Sequence, residues 1–214
     1  MLACAAEHRD QETGNHVVRV GRYAGLIARQ LGMNELRVEV IEQAAILHDV
    51  GKLGISDTIL LKPDRLTTQE FANIQRHCEF GSNILQAKPT SAGQRQIIQG
   101  PPDAISSPIL RIAAIIAASH HEKWDGSGYP AGLRGEAIPL EARITAVADV
   151  FDALSSQRPY KKALPYQECF AILEQGRGKH FDREVLDAFF ARREELLAIA
   201  TELADTFELP ASTN

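Results

Sequence analysis

The sequence is poor in cysteine. Cys4, Cys78 and Cys169 are its three, widely spaced, odd in number and without a CxxC pair. That argues against a disulfide framework and fits reduced thiols in a cytoplasmic protein. There is also no apolar run near the ~20 residues a membrane span requires; the longest stretch, Ile112 to Ser119, suits a buried helix. The opening, MLACAAEHRDQ, has neither the basic nor the apolar segment of a secretory signal. Positive charge is in deficit, with 23 Lys and Arg against 28 Asp and Glu and a net charge of −5. This argues against a broad basic face for duplex nucleic acid, while a small anionic ligand stays open where cations cluster. Internal repeats, low-complexity tracts and sustained strand-like alternation are absent too.

What is present is the composition of a folded domain: 214 residues, 44% hydrophobic and 24% charged. Apolar residues recur at helical spacing almost throughout, and the fold class they predict is all-α. Val17, Val20, Ala24, Ile27 and Leu31 mark one helix, with Gly32 as its stop. Leu36, Val40, Ala44 and Leu47 mark a second that runs into His48 and Asp49. Thr67 and Glu70 form a capping box opening a helix through about Leu85. Pro108 suits the first turn of a helix ending at His121. Further helices are expected from Leu140 through the stripe Val147, Val150, Phe151 and Leu154, from Pro165 to Glu174, and from Asp182 to about Thr206. Three stretches break the pattern. Residues 87–107 read as an extended loop, residues 123–139 as a structured glycine-rich loop, and residues 156–165 as a local basic spot around Arg158, Lys161 and Lys162.

The chemistry lies in the histidines. Of seven, five stand at predicted helix edges or within helices, accompanied by carboxylates. Glu12 and His16 are four apart and share a helix face. His48 and Asp49 are adjacent ahead of Gly51 and Lys52; His77 falls mid-helix; His120 and His121 are adjacent where a helix meets the glycine-rich loop. Asp149 and Asp152 interrupt an apolar stripe, where an unpaired carboxylate would be costly. Any one of these alone reads more readily as an ordinary core or surface residue than as a ligand. Together they supply imidazole and oxygen donors suited to Fe, Mn, Zn or Co, in greater number than one tetrahedral ion takes. The reading they favour is a cluster of two or more metals bridged by Asp49. Such centres activate water and clamp the attacking and leaving oxygens in phosphoryl transfer.

HDVGK at 48–52, HHEKWDGSGYP at 120–130, ADVFDALSSQRPYKK at 148–162 and HRDQETGNHVVRVGRYA at 8–24 together resemble the HD-GYP domain, a branch of the HD phosphohydrolase superfamily that hydrolyses cyclic di-GMP. The resemblance spans roughly Glu7 to Arg193 and implies a helical HD-type bundle with a glycine-rich GYP loop. It implies metal ligation by His16, His48, Asp49, His77, His120, His121 and Asp149, with Glu12 associated with a third ion. Two or three divalent metals are therefore expected, iron or manganese first, with zinc, cobalt and nickel also accepted by such donors. Lys52 matches a lysine near the scissile phosphate. Asp10 and Asp152 match positions linked to proton transfer or positioning, although Asp10 reads equally as a helix cap. Arg158, Lys161 and Tyr129 match substrate contacts, and Asp152 lies among them. The products implied are pGpG and GMP. Another cyclic dinucleotide such as cyclic GMP-AMP, or a silent module docking GGDEF proteins, are the alternatives.

The resemblance also sets domain expectations. Residues 1–14 would be a lead-in helix or linker from an upstream sensor domain, 15–206 the catalytic domain, and 207–214 a frayed tail. The 87–107 loop looks longer than is usual for the family.

Overall fold

The computed structural model describes Arg9 and residues 14–86, 107–157 and 162–205. The 87–107 loop up to residue 106, and the tail, lie outside these residues, as do Asp10, Glu12, Arg158 and Lys161. Among the described residues the structure is helical with no strand, leaving one isolated bridge between Arg177 and Phe181. The helices are α1 (Gly14–Gln30), α2 (Glu35–Ala45), α3 (Asp57–Leu60), α4 (Thr68–Gln75), α5 (His77–Leu85), α6 (Pro108–Ser119), α7 (Leu140–Ser155), α8 (Tyr166–Gln175), α9 (Arg183–Ala191) and α10 (Arg193–Glu202). A 3₁₀ turn, Val50–Gly54, follows α2.

The local signals act as expected. α1 ends just ahead of Gly32, and Pro108 occupies the first turn of α6. The Thr67–Glu70 capping box forms in both directions. Asp182 caps α9 by accepting from the Glu184 N–H at 2.9 Å. Three expectations need correction. The helix from Thr67 breaks at Arg76, so His77 opens α5 rather than sitting mid-helix. The last helix breaks at Arg192 into α9 and α10. The stripe of α2 is rotated: Val38, Ile41, Ala44 and Ala45 are buried, while Leu36 is 73% exposed.

One core joins the bundle. α1 packs on α2, α7, α9 and α10, and α6 lies between α5, α2 and α7. Buried Val20, Ile27, Ile41, Ile116, Ile144, Val147, Phe151 and Phe189 fill the interior. Apolar burial at about 25 cal/mol per Å² makes this core the main support of the fold. Its consequence is positional: α1, α5, α7 and the segments that follow α2 and α6 bring their polar residues toward one place.

Gly51 makes that convergence possible. A Cβ there would fall 1.9 Å from the His77 carbonyl oxygen and 2.4 Å from the Gly81 nitrogen, so only glycine lets the turn after Asp49 lie against α5.

Candidate metal centre

The donors come from five parts of the bundle. His16 sits on α1, His48 and Asp49 follow α2, His77 starts α5, His120 caps the end of α6 with His121 next, and Asp149 is on α7. Their rings lie close together: His16–His48 centroids are 5.5 Å apart, His48–His120 5.2 Å, His77–His120 5.6 Å and His77–His121 5.1 Å, all edge-on, while His120 and His121 are tilted at 4.0 Å. The donor atoms form two groups, Asp49 with His77, His120 and His121, and His16 with His48 and Asp149; within each group they lie within 4.8 Å of one another.

The hydrogen bonds behind the rings fix which nitrogen faces inward. Nδ1 of His48 lies 2.8 Å from the Ala45 carbonyl, Nδ1 of His77 2.7 Å from that of Ile74, and Nδ1 of His120 3.0 Å from that of Ile116. A carbonyl can only accept, so each Nδ1 carries the proton and Nε2 is the basic nitrogen. His16 does the same toward a carboxylate, with Nδ1 2.8 Å from Oδ2 of Asp152. All four bonds orient Nε2 as metal-ligating histidines require.

The inward atoms are short of partners. Nε2 of His48, Nε2 of His120 and Oδ1 of Asp49 are buried without a hydrogen bond. Oδ1 of Asp49 stands 3.3 Å from Nε2 of His77 and 3.4 Å from that of His120, and Oδ2 stands 3.5 Å from Nε2 of His48. Oδ1 of Asp149 lies 3.7 Å from Nε2 of His16 and 3.9 Å from Nε2 of His48. Ligands held at ~2.1 Å from one ion stand about 3–3.5 Å apart. Buried unpaired donors at that spacing fit a di-metal site, with one oxygen of Asp49 turned to each group.

Electrostatics agree. Burial drives His77 down to about 4, with the Asp49 charge only partly opposing it. Burial also lowers His48 and His121. Neutral imidazole is the ligating form. Burial would lower His120 as well, but the facing Asp49 carboxylate raises it. Burial works to raise Asp49, yet Lys52 and the surrounding imidazoles hold it well below the usual carboxylate range.

Residues around the donors set their positions. Nζ of Lys52 lies 2.7 Å from Oδ2 of Asp49. The Tyr129 ring stacks on His121 at 4.8 Å between centroids. The loop bearing Tyr129 is held by Glu122, whose buried carboxylate accepts from the Ala131 N–H at 2.7 Å and the Leu133 N–H at 3.0 Å. Gly128 passes so near that a Cβ would meet the Lys123 nitrogen at 2.3 Å.

Asp152 departs from its expected place as a proton donor and substrate contact. It is 1% exposed, and Arg19 holds it with Nε to Oδ1 at 2.6 Å and Nη2 to Oδ2 at 2.9 Å, while His16 takes Oδ2 from the other side. Burial would raise its pKa, but these bonds hold it below the ordinary value, so it is ionised and fully engaged. It stands behind a donor rather than in front of one. Arg19 and Glu122 were not singled out in the sequence. Their signals were weak: an arginine three residues after His16 in an apolar stripe, and a glutamate beside His121.

The fold and the centre together define a helical domain that gathers imidazole and carboxylate donors from three helices and from the segments that follow two others. A family model for the HD domain matches residues 1–185. The chain belongs to the HD domain family, in the HD-GYP branch that its motifs resemble. The cyclic di-GMP phosphodiesterase response regulator RpfG of Xanthomonas campestris is 45% identical over 209 residues, covering 98% of this chain and 51% of that protein. The 3′3′-cGAMP-specific phosphodiesterase 2 of Vibrio cholerae is 41% identical over 204 residues, covering 95% of this chain and 36% of that protein. The crystal structure of a cyclic GMP-AMP-specific phosphodiesterase of V. cholerae, V-cGAP3, shares the fold at a TM-score of 0.61 and 19% identity, covering 96% of this chain and 50% of that one. The chain thus spans about half the length, or less, of the curated relatives it matches. Among the described residues no helix is long and apolar enough to cross a membrane.

Proposed function

We propose that this chain is a metal-dependent phosphodiesterase that hydrolyses cyclic di-GMP to pGpG, GMP or both, in bacterial second-messenger signalling. The observation that carries the reading is the set of Nε2 atoms of His16, His48, His77 and His120 turned inward around Asp49 and Asp149 by hydrogen bonds at their outer nitrogens. Asp49, His77, His120 and His121 would hold one ion and His16, His48 and Asp149 another, with Asp49 shared. Glu12 is assigned to a third ion, and iron or manganese is the expected metal. When bound, such ions supply an activated water and charge stabilisation at phosphorus.

The protein's own residues do the rest. Lys52, held beside Asp49, offers an ammonium to a non-bridging phosphate oxygen. Tyr129 walls the site on the His121 side, and Glu122 keeps it there. Asp152 and Arg19 fix the ring of His16. Arg158 and Lys161 are assigned to guanine and phosphate contacts, and Asp10 to proton transfer or positioning. The catalytic unit is assigned to 15–206, with an upstream regulatory domain or a GGDEF protein as the partner class.

A second reading, hydrolysis of a 3′3′-linked cyclic GMP-AMP, is favoured by the name of the relative that is 41% identical. Chromatography of the products from both dinucleotides separates the two. Faster turnover of cyclic di-GMP supports the first reading. Exclusive turnover of the mixed dinucleotide replaces it, and turnover of neither overturns both.

A further inference from the structure

We propose that Phe71 is a base-stacking residue for a purine of the dinucleotide, an inference that rests on the function proposed above. α4, which carries Phe71, buries none of its residues, and the Phe71 ring is 48% exposed. It is nonetheless not placed at random on the surface. Its ring meets Tyr129 edge-on at 6.1 Å between centroids, and Tyr129 stacks on His121 at 4.8 Å. A continuous aromatic series, His121–Tyr129–Phe71, therefore leads from the metal donors to solvent. α4 is fixed there by its capping box and by Lys62, whose Nζ donates to both oxygens of Glu70 at 2.8 Å.

A cyclic dinucleotide presents one phosphodiester to the centre while its bases project outward from the sugars. A base leaving the site on the Tyr129 side meets a half-exposed aromatic face, already oriented, that covers its π-surface without recognising its edge. Phe71 would thus strengthen binding of either purine and leave the choice between guanine and adenine to other residues.

Steady-state kinetics of the metal-loaded protein on cyclic di-GMP test this with Phe71→Ala, Phe71→Leu and Phe71→Trp, substitutions that a helix with no buried residue tolerates. Metal content and circular dichroism accompany each variant. The expected result is a KM raised about 5- to 30-fold for Phe71→Ala and Phe71→Leu, with kcat and metal content unchanged, and a near wild-type KM for Phe71→Trp. An unchanged KM in Phe71→Ala overturns the proposal, and so does a wild-type KM in Phe71→Leu, which would mark simple packing. A wild-type protein that turns over no cyclic dinucleotide overturns the proposed function itself, and this inference with it.

Discussion

Nδ1 of His16 donates to Oδ2 of Asp152 across 2.8 Å, between the first long helix and α7. Behind that carboxylate stands Arg19, 2% exposed, which also donates to the Leu203 carbonyl at 2.7 Å and to Asp205 at 3.0 Å. One buried arginine thus ties the orientation of a metal donor to the far end of the chain's described residues. An ion pair so buried is poor evidence of net stability but strong evidence of fixed geometry. Asp152→Asn should lower metal affinity about 10- to 100-fold, because an amide cannot accept from Arg19 and His16 as a carboxylate does. Competition against a chelating dye measures it, and unchanged affinity would remove Asp152 from this role.

Under the proposed function, a substitution at Lys52 separates binding of metal from turnover. Its ammonium is 15% exposed and sits 2.7 Å from Asp49. Lys52→Met should retain the bound metal yet lose about 10²- to 10³-fold in kcat, the scale of one lost transition-state donor. Elemental analysis beside an assay on cyclic di-GMP checks both halves. Loss of metal together with activity would show that Lys52 serves the centre's assembly instead.

Glu122 is the support of the glycine-rich loop. Glu122→Ala would strip two backbone N–H groups, those of Ala131 and Leu133, of their acceptor. Both donors are only partly buried, so each bond lost to the carboxylate costs about 1–2 kcal/mol, between a typical and a charge-assisted hydrogen bond. A destabilisation of roughly 2–4 kcal/mol is therefore expected in urea unfolding. A rise in KM is expected as well, since Tyr129 is released from His121. A variant as stable as the parent contradicts this.

The fold class was plain in the sequence because helical periodicity and local caps need no partner to be seen: Thr67 with Glu70, Pro108 and Asp182 each act where they stand. What escaped is tertiary. Leu36 fits the helical spacing as well as Val38 does, and only the direction from which α1 and α6 approach decides between them. The breaks at Arg76 and Arg192 have no glycine or proline to announce them. In the site, the donor list was legible from motif order, but depth was not. Asp149 and Asp152 are one turn apart on α7, and sequence cannot say which faces the centre and which stands behind His16. Phe71 and Glu122 became visible only through their contacts with Tyr129 and its loop.

The metal-free protein should be acid-labile. An unfolded histidine takes up its proton near 6.5, whereas burial delays His77 to about 4. Between those values the unfolded chain binds more protons at this site, so the stability His77 contributes is full above about 6.5 and falls as pH drops toward about 4. His48 and His121, also lowered by burial, act in the same direction. Asp49 and Asp152, held below the carboxylate range, extend the loss to lower pH. His120 runs the other way: its raised pKa adds stability at low pH that is lost as pH rises through its folded value. His180, which burial also lowers to about 4, adds to the fall, so among the described residues four lowered imidazoles stand against one raised, and urea midpoints of chelator-treated protein across this range would trace the net loss. A flat or rising midpoint on acidification contradicts it.

In the proposed site, side chains from separate parts of the bundle jointly hold a cluster of metal ions bridged by Asp49. Elemental analysis of protein prepared in reducing, anaerobic buffer, alongside Asp49→Ala, tests it most directly. Two or three transition-metal ions per chain are expected in the parent, and in the variant a loss of both metal and phosphodiesterase activity. A parent chain that holds one ion or none, or an Asp49→Ala chain with full metal and full turnover, would contradict it.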